Sequence, residues 1–390
     1  MTHKAFSTWD TLTSAGFVAL EHLTGDDSSA LLRARRQGSD APALLQVLCA
    51  ESPSQEERER LRHDFELSRL LAGEHVLEPL ECLAGGRALL YGPFDGVPLH
   101  AFAKTVHADP AALLRVALSL VDALAAIHAR GFAHCRLEPR HVLVAPATSA
   151  VKLVGFGAAS RLSQDPPAPE DAGPKGTLTY IAPEQTGRMN RSVDHRSDFY
   201  SLGVLLYELF VGEPPFVAKD PLELVHAHFA RRPRPLHEVE PRVPLAVSSV
   251  VLKLLAKDAE ERYQSHLGLR ADLSACITAL TGGEPLREFI PGLQDVVARF
   301  HIPRRLYGRE REVEALLAAC ERVGTGATEV VSIAGYAGIG KSALVRELRR
   351  PVATRGGYYI SGKFDQLRRG IPYSALLEAL RDITRQVLTE

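Results

Sequence analysis

The stretch FAHCRLEPRHVLV at residues 132–144, followed by VKLVGFG at residues 151–157, decides the fold that this sequence predicts. Each half contains a short apolar run, and the turn between the two runs holds Pro146 and Ser149. Apolar runs of this length on either side of turn residues are typical of a β-hairpin. We therefore predict a loop that leads into a hairpin, with Gly-Phe-Gly directly after its second strand.

The composition indicates an ordinary globular protein of two or three domains. Of its 390 residues, 45% are hydrophobic, and the formal net charge is -1. This apolar content suffices for a sizeable core, and the balanced charge gives no general attraction to nucleic acid or to a membrane surface. Wide cysteine spacing without a Cys-x-x-Cys pair favours reduced thiols in the cytosol over a disulfide framework. The cysteines are Cys49, Cys82, Cys135, Cys276 and Cys320.

Membrane insertion is not predicted. Residues 1–7, MTHKAFS, lack the apolar region of a signal peptide. A transmembrane helix needs ~20 apolar residues, and we find no apolar run that approaches this length. The nearest is Leu202–Gly212, which carries Glu208. We therefore expect a soluble, cytoplasmic protein without a membrane span.

Three further motifs follow the opening stretch. They are GTLTYIAPE at residues 176–184, DFYSLG at residues 198–203 and KDAEERY at residues 257–263. In this order, the four stretches resemble the catalytic loop, the end of the activation segment and two C-lobe helix motifs of protein kinases. The resemblance implies a two-lobed, α+β protein-kinase-like fold over residues 1–280, with an N-lobe at 1–91 and a C-lobe at 92–280.

The same resemblance assigns structural roles within the C-lobe. Asp198 would accept hydrogen bonds from backbone N–H groups of the catalytic loop, which contains His134. Glu184 would form an ion pair with Arg262. Residues 110–130 carry apolar side chains at three- and four-residue spacing, which predicts the buried scaffold helix of this lobe. These features imply that the frame of a kinase is retained.

The residues that carry kinase chemistry are replaced within the opening stretch. Arg136 stands in place of the catalytic aspartate, and a permanent cation cannot accept a proton. Glu138 replaces a lysine and would repel a γ-phosphate. His141 replaces an asparagine and Gly155 replaces the aspartate of Asp-Phe-Gly, so Mg²⁺ would lack its usual oxygen ligands. We therefore expect no cofactor at the kinase-like site.

The N-terminal third, in which residues 17–48 predict strands, has also lost its phosphate-binding groups. Gln46 stands where the family has the lysine that holds the α/β-phosphates. The helix predicted over residues 56–71 places Asp64 at the position of the lysine's glutamate partner, with Glu66 as the alternative. The positions of the phosphate-binding glycines are occupied by Thr24, Asp26 and Ser29.

Residues 183–191, PEQTGRMNR, are similar to one subgroup in particular. This subgroup consists of large bacterial proteins that join a serine/threonine-kinase-like domain, a P-loop NTPase domain and a sensor histidine kinase. Its members generally keep the catalytic aspartate, the asparagine and Asp-Phe-Gly, so this chain departs further from an active kinase. The helix-breaking Thr-Gly-Gly-Glu-Pro predicts that residues 281–303 are a linker.

A P-loop motif, GYAGIGKS, lies at residues 335–342 between a predicted strand at 328–334 and helical periodicity at 343–348. Backbone N–H groups of such a loop cradle phosphates, the lysine reaches the β/γ-phosphates, and the serine binds Mg²⁺. A second strand is predicted at residues 357–366. The predicted ligands are ATP and Mg²⁺, with Ser342 binding the metal. The predicted nucleotide-binding residues are Gly335, Gly338, Gly340, Lys341 and Ser342.

Residues 304–390 are thus identified as the N-terminal part of an α/β P-loop NTPase domain of the AAA-like or STAND type. An amphipathic helix predicted at residues 312–323 follows RLYGRE at 305–310, which resembles the segment near the adenine in such domains. The P-loop sheet needs about five strands, and we can identify two. We therefore expect an incomplete domain, with the remainder truncated or supplied in trans.

The combined pattern predicts a signal-transduction protein. Its kinase-like domain would be an inactive pseudokinase that serves as a regulatory or binding platform for protein partners, linked to an ATP-binding P-loop module. Two alternatives stay open. One is an active, atypical serine/threonine protein kinase that recruits Asp64 or Glu66. The other is a STAND-type nucleotide switch at Lys341.

Overall fold

The fold is described from a computed structural model of the chain, which divides into two compact units, residues 1–298 and 299–390. The residues that it describes are 16–38, 42–50, 52–106, 109–162, 177–186, 193–282, 286, 289–295, 309–336, 341–348, 351–352, 355, 357–360, 362, 373, 375–377, 379–380 and 383.

The first part of unit 1 is an antiparallel sheet of five strands in the order β1-β2-β3-β5-β4. The strands are β1 Phe17–Gly25, β2 Ser29–Arg36, β3 Pro42–Leu48, β4 Pro79–Leu83 and β5 Ala88–Tyr91. Both faces of the sheet are covered, because neighbouring Leu44 and Leu45 are buried in different apolar clusters. Side chains alternate between the faces of a strand, so two covered faces explain the short unbroken apolar runs in the sequence.

Helix α1, Gln55–Leu70, crosses one face of this sheet and matches the helix predicted over residues 56–71. It begins with a capping box in which Ser54 accepts from the Glu57 N–H and the Glu57 side chain accepts from the Ser54 N–H. Such a cap satisfies two backbone donors that the helix leaves free. The cap fixes the start of the helix, and the helix then presents Asp64 inward, where it is buried.

Helices of the second part of unit 1 form the larger core. They are α2 Leu99–Val106, α3 Pro110–Ala129, α4 His195–Val211, α5 Pro221–Ala230, α6 Leu236–Val239, α7 Leu245–Leu254 and α8 His266–Gly282. The predicted scaffold helix is confirmed as α3, and Asp109 caps its start by accepting from Ala111 N–H at 2.9 Å. Helix α4 is buried along nearly its whole length and carries Asp198.

Within the described part of the chain, one helix, α3, is long and apolar enough by length and composition to cross a membrane. The expectation that no apolar run approaches that length is therefore wrong. In this fold α3 lies in the core against α4 and α8, and Leu113, Val116 and Leu120 are among its buried residues. A helix that is apolar nearly all round is typical of a buried core position as well as of a membrane span.

The opening sequence stretch folds as predicted. Strands β8, Val142–Val144, and β9, Val151–Leu153, form an antiparallel hairpin that pairs with β6, Val97–Pro98. The loop before the hairpin begins after β7, Phe132–Ala133, which pairs with β10, Ser160–Arg161. Short pairings on both sides therefore hold the loop in place.

Part of the predicted linker lies within unit 1 and packs at the start of α8. The Asp295 carboxylate accepts from the Gln264 N–H at 2.6 Å and the Ser265 N–H at 2.9 Å, just before α8. The Gly292 N–H donates to Asp272 at 2.6 Å, and Phe289 packs against the core. Residues 289–295 thus act as a cap on α8, in addition to their place in the connection.

Unit 2 is helical where it has regular structure among the described residues, with α9 Glu310–Gly324 and α10 Lys341–Arg346. Helix α9 confirms the amphipathic helix predicted at 312–323. The strand predicted at 328–334 is wrong for this structure, since residues 327–336 form no regular element. Val330 is 96% exposed, and among the described residues of unit 2 no strand pairs with this segment to satisfy its backbone groups. Residues 357–360 of the second predicted strand are likewise irregular.

The packing of residues 289–295 on α8 gives a test within one helix. A Cβ atom at Gly268 would lie 2.6 Å from Asp295 Cα, whereas a Cβ at Gly282 meets nothing within 4 Å. We expect Gly268→Ala to lower the free energy of unfolding by about 1–3 kcal/mol through overpacking. Gly282→Ala, the matched control, should be neutral or slightly stabilising. Urea unfolding followed by circular dichroism measures both, and equal stabilities would contradict the close packing.

Candidate functional site

The loop after β7 is anchored by a buried carboxylate. Asp198 accepts from the His134 N–H and from the Cys135 N–H, both at 2.8 Å, and from His128 Nε2 at 2.7 Å. Burial raises the pKa of Asp198, but the hydrogen bonds from His128 and His134 outweigh it and hold the pKa below its usual value. The role expected of Asp198 from the resemblance is confirmed in its geometry.

A second anchor, Gln185, was missed by the sequence reasoning. Cys135 has φ 60°, a left-handed conformation that costs energy for a residue with a side chain. Gln185 Nε2 donates to the Cys135 carbonyl at 2.8 Å, and Gln185 Oε1 accepts from the Ala182 N–H at 3.0 Å. Together, Asp198 and Gln185 bind both backbone groups of the strained residue.

The ion pair expected between Glu184 and Arg262 forms in the core. Arg262 Nη1 and Nη2 lie 2.7 and 2.9 Å from the two oxygens of Glu184, in a bidentate arrangement. Both side chains are buried, and Ser197 Oγ donates to the same carboxylate at 2.7 Å. Burial raises the pKa of Glu184, but Arg262 more than compensates and the pKa is lowered. A buried pair with all partners in place secures the chain before α4.

His134 lies at the centre of the anchored loop. Its ring is buried, its Nε2 donates to the Val154 carbonyl at 3.1 Å, and its ring centroid lies 4.9 Å from that of Phe156, with the two rings tilted by 54°. It therefore links the loop to the residue that follows the hairpin.

Charged residues of the loop form a chain of ion pairs. Arg136 Nε lies 3.0 Å from Glu138 Oε1, and Arg140 Nε lies 2.8 Å from Glu138 Oε2. The same carboxylate accepts from Thr177 Oγ1 at 2.9 Å. Glu138 is buried, so its charge is balanced within the protein by the two guanidinium groups. Arg136, at the position of a general base, is a hydrogen-bond donor with no proton-accepting capacity.

The Mg²⁺ position of the loop does not fit the metal. Gly155 has φ 83° and no side chain, and a Cβ atom there would lie 2.7 Å from His141 Nε2. The His141 ring therefore fills the space that a carboxylate at residue 155 would need. Burial, with His134 and Arg136, holds the pKa of His141 well below its ordinary value, while its Nδ1 lies 2.7 Å from the Arg136 carbonyl.

A hydrogen-bond network without a lysine replaces the lysine–glutamate pair of the family. Tyr91 Oη donates to Gln46 Oε1 at 2.8 Å, and Gln46 in turn hydrogen bonds to Asp64. Asp64 also accepts from the Phe156 N–H at 2.9 Å and from Ser68 at 3.1 Å. The structure thus places Asp64, the first choice from the sequence, in the network, while the alternative Glu66 is exposed.

The tip of the β1–β2 hairpin reaches the opposite lobe. Asp26 Oδ1 accepts from the Ser28 N–H at 2.8 Å and the Ser29 N–H at 2.9 Å, and Asp26 Oδ2 forms an ion pair with Arg140. Thr24 is buried within the end of β1. Arg140 was missed by the sequence reasoning because its position has no fixed residue in the motif to which the loop was compared.

Within unit 2, Lys341 lies at the start of α10. Its Nζ donates to the carbonyls of Gly335 at 2.7 Å and Tyr336 at 2.8 Å. The lysine therefore folds back over the first residues of the P-loop motif. Gly338, Gly340 and the Ser342 side chain lie outside the described residues. The nucleotide-binding assignment of this motif stays a prediction.

No group of three or more histidine, cysteine or acidic side chains suited to a metal ion occurs among the described residues.

Comparison with known families agrees with this arrangement. Residues 33–272 match the protein kinase domain, and residues 305–390 match the AAA ATPase domain. The first match runs from the second half of β2 through the anchored loop and most of the helical core, and the second covers the P-loop motif.

Individual proteins are similar to part of the chain. Hybrid signal transduction histidine kinase G of Dictyostelium discoideum is 35% identical over 233 residues, 55% of this chain and 7% of that protein. Serine/threonine-protein kinase PknB of Mycobacterium leprae is 36% identical over 183 residues, 46% of this chain and 28% of that protein. A probable serine/threonine-protein kinase of Streptomyces coelicolor is 33% identical over 169 residues, 43% of this chain and 25% of that protein. The chain spans less than a third of each of these relatives.

The contact between residues 141 and 155 predicts non-additive substitutions. Gly155→Asp alone should destabilise the protein, because its side chain meets the His141 ring and its φ is positive. In a His141→Asn background the ring is absent, so the same substitution should cost about 1–3 kcal/mol less, a typical coupling for residues in contact. Unfolding free energies of the two single variants and the double variant measure the coupling. Additive costs would contradict the steric explanation.

The buried carboxylate of Asp64 predicts a pH dependence of stability. Burial raises its pKa from 3.8 to about 6, against hydrogen bonds from Phe156, Ser68 and Gln46. The folded state thus binds a proton at Asp64 more tightly than the unfolded state does. The stabilisation that this proton gives the fold is complete below pH 3.8 and is lost as pH rises through about 6. Asp64→Asn should raise the unfolding free energy at pH 8 by about 1–3 kcal/mol and change it little at acidic pH.

Thermal unfolding of both proteins between acidic and alkaline pH measures this difference. Glu66→Gln, at an exposed position of the same helix, is the matched control and should follow wild type throughout. If the difference in thermal stability between wild type and Asp64→Asn did not vary with pH, Asp64 would not be a carboxylate of raised pKa.

Proposed function

This chain belongs to the protein kinase domain family, and from that premise we propose that its kinase-like domain is a pseudokinase that acts as a regulatory or binding platform for protein partners. The observation that carries the proposal is the pair formed by His141 and Gly155. The imidazole ring lies where a metal-binding carboxylate would have to be. A kinase needs Mg²⁺ held by oxygen ligands to neutralise the transferred phosphate.

The charges around the loop support the same proposal. Arg136 donates to Glu138 at the position where a general base would accept the substrate proton. Gln46 supplies a neutral amide where a lysine would contact phosphates. Of the two groups that an atypical kinase could recruit, Asp64 is buried and already accepts from Phe156 and Ser68, and Glu66 is exposed outside this network. Arg136, Gln46 and Asp64 are thus each bonded to another protein group.

The intact frame supports a role in binding. The loop is fixed by Asp198, Gln185 and the Glu184–Arg262 pair, so the fold presents a well-defined surface without nucleotide. Relatives whose names denote signal transduction and serine/threonine-protein kinases favour protein partners in signalling. The five cysteines are free thiols, and we propose a cytoplasmic location on that basis.

A second function, that of a nucleotide switch, is favoured by unit 2. The chain carries an AAA ATPase domain at residues 305–390, and such domains bind nucleotide. Lys341 stands at the start of α10 and contacts only carbonyl oxygens in the hydrogen bonds described for it. We propose that ATP with Mg²⁺ binds there, with Lys341 contacting the phosphates and Ser342 binding the metal when nucleotide is present.

The experiment combines phosphate transfer and nucleotide binding on the full chain. With Mg²⁺ and labelled ATP, we expect no transfer to the chain itself or to a generic serine/threonine substrate. Calorimetry should detect ATP binding that weakens by about 10- to 100-fold in Lys341→Ala, because charge-assisted hydrogen bonds to phosphate are lost.

The two functions are separated by variants in each unit. Phosphate transfer that persists in Lys341→Ala and disappears in Arg136→Ala would overturn the pseudokinase and establish an atypical kinase. ATP binding of equal strength in wild type and Lys341→Ala would overturn the nucleotide switch.

A further inference from the structure

The carboxylate at the tip of the β1–β2 hairpin has two separate tasks. Asp26 Oδ1 accepts from the Ser28 and Ser29 N–H groups and from Ser28 Oγ at 2.7 Å, which builds the turn. The other oxygen, Oδ2, forms an ion pair with Arg140 on the loop of the opposite lobe. One side chain therefore shapes the hairpin and also ties it to the C-lobe, across 114 residues of sequence.

Arg140 needs a negative charge beyond the one that Glu138 provides. Its side chain is only 13% exposed, and burial lowers its pKa, so the charged form is costly without a partner. Glu138 is shared between Arg136, Arg140 and Thr177. One carboxylate cannot neutralise two guanidinium groups, and Asp26 supplies the second negative charge.

The guanidinium group of Arg140 is also not saturated. Its buried Nε and Nη2 make no hydrogen bond of acceptable geometry among the residues that the structure describes, although Nε lies within ion-pair distance of Glu138. Buried polar groups are normally satisfied, and an exception needs a physical explanation such as a ligand. Guanidinium groups bind carboxylate and phosphate in a bidentate manner, through two parallel N–H donors. Asp26 uses Nη1 and leaves Nη2 for the second oxygen of such a group.

The rest of the hairpin is held independently of Asp26. Arg33, in the middle of β2, donates from Nη2 to the Gly96 carbonyl at 3.0 Å and forms an ion pair with Glu21. Release of the Asp26–Arg140 pair would therefore detach the tip from the C-lobe, while the Cys49 N–H still donates to the Ser28 carbonyl at 2.9 Å and the base of the hairpin stays attached.

We propose that Arg140 is an oxyanion-binding site that the chain occupies with its own Asp26, so that the hairpin tip latches the two lobes. A phosphate or carboxylate group presented to Arg140 displaces Asp26 and frees the tip. The proposal deepens the proposed platform function, on which it rests, by naming the chemistry of the group that this face of the platform recognises. The latch itself is measured without nucleotide and without phosphate transfer, so its failure is distinguishable from that of the pseudokinase assignment.

Hydrogen exchange of the full chain, followed by mass spectrometry, tests the latch. Asp26→Asn keeps an oxygen for the turn and removes the charge that faces Arg140. We expect exchange in peptides covering residues 24–29 to become at least about 10-fold faster in Asp26→Asn and in Arg140→Gln, equivalent to 1.4 kcal/mol of lost protection. Asp27→Asn, the adjacent exposed acid, is the matched control and should exchange like wild type.

A folding control completes the test of the latch. Unchanged exchange in α3 will show that each variant is folded. Equal exchange of Asp26→Asn, Asp27→Asn and wild type at the tip would overturn the latch.

The oxyanion site is tested on the same peptides with two probes. Inorganic pyrophosphate and citrate, each without metal, represent phosphate and carboxylate groups. Either should speed exchange of residues 24–29 in wild type and in Lys341→Ala, which excludes an effect from the P-loop, but not in Arg140→Gln. A response to one probe alone identifies the group, and a response to neither overturns the site.

Discussion

The whole of unit 1 depends on one carboxylate, that of Asp198, which accepts from two consecutive backbone N–H groups at 2.8 Å. Hydrogen bonds to a charged group contribute about 1.5–3 kcal/mol each, enough to hold Cys135 in its left-handed conformation. With that residue fixed, the loop projects Arg136, Glu138 and Arg140 on one side and starts the β8–β9 hairpin on the other. Helix α4 carries Asp198 in the core, so the position of the loop follows from packing.

Around this fixed loop, the altered residues occur in pairs that fit each other. The His141 ring occupies the space that Gly155 leaves. Gln46 and Asp64 form a hydrogen bond where the family has a lysine–glutamate ion pair, and Asp26 and Glu138 balance Arg140. Substitution of one residue of a pair would therefore remove the partner of the other residue or create a steric clash with it. The region around the loop is therefore packed and its charges are paired within the protein, and this is the physical basis for proposing that it is a binding platform.

The sequence was informative where a contact is part of a linear motif. Asp198, the Glu184–Arg262 pair, the β8–β9 hairpin and helix α3 were all predicted, because each has residues of fixed type at fixed spacing. Gln185 and Arg140 were missed because their partners, Cys135 and Asp26, are distant in sequence and no motif connects them. The length of the apolar run in α3 was overlooked because Arg115 and Asp122 interrupt it. The strand at 328–334 has the right composition, but strand formation depends on a neighbour.

The two units differ in the groups that surround their positively charged side chains, and this difference bears on where nucleotide is proposed to bind. In unit 1, Arg136 and Arg140 each face a carboxylate of the same chain, so a triphosphate would have to displace an existing ion pair. In unit 2, the Lys341 ammonium donates to two carbonyl oxygens, which are dipoles and leave its net charge in place. No carboxylate pairs with it among the described residues. At the proposed nucleotide site a phosphate group would gain a full charge interaction with Lys341, whereas in unit 1 it would gain only the difference between itself and Asp26.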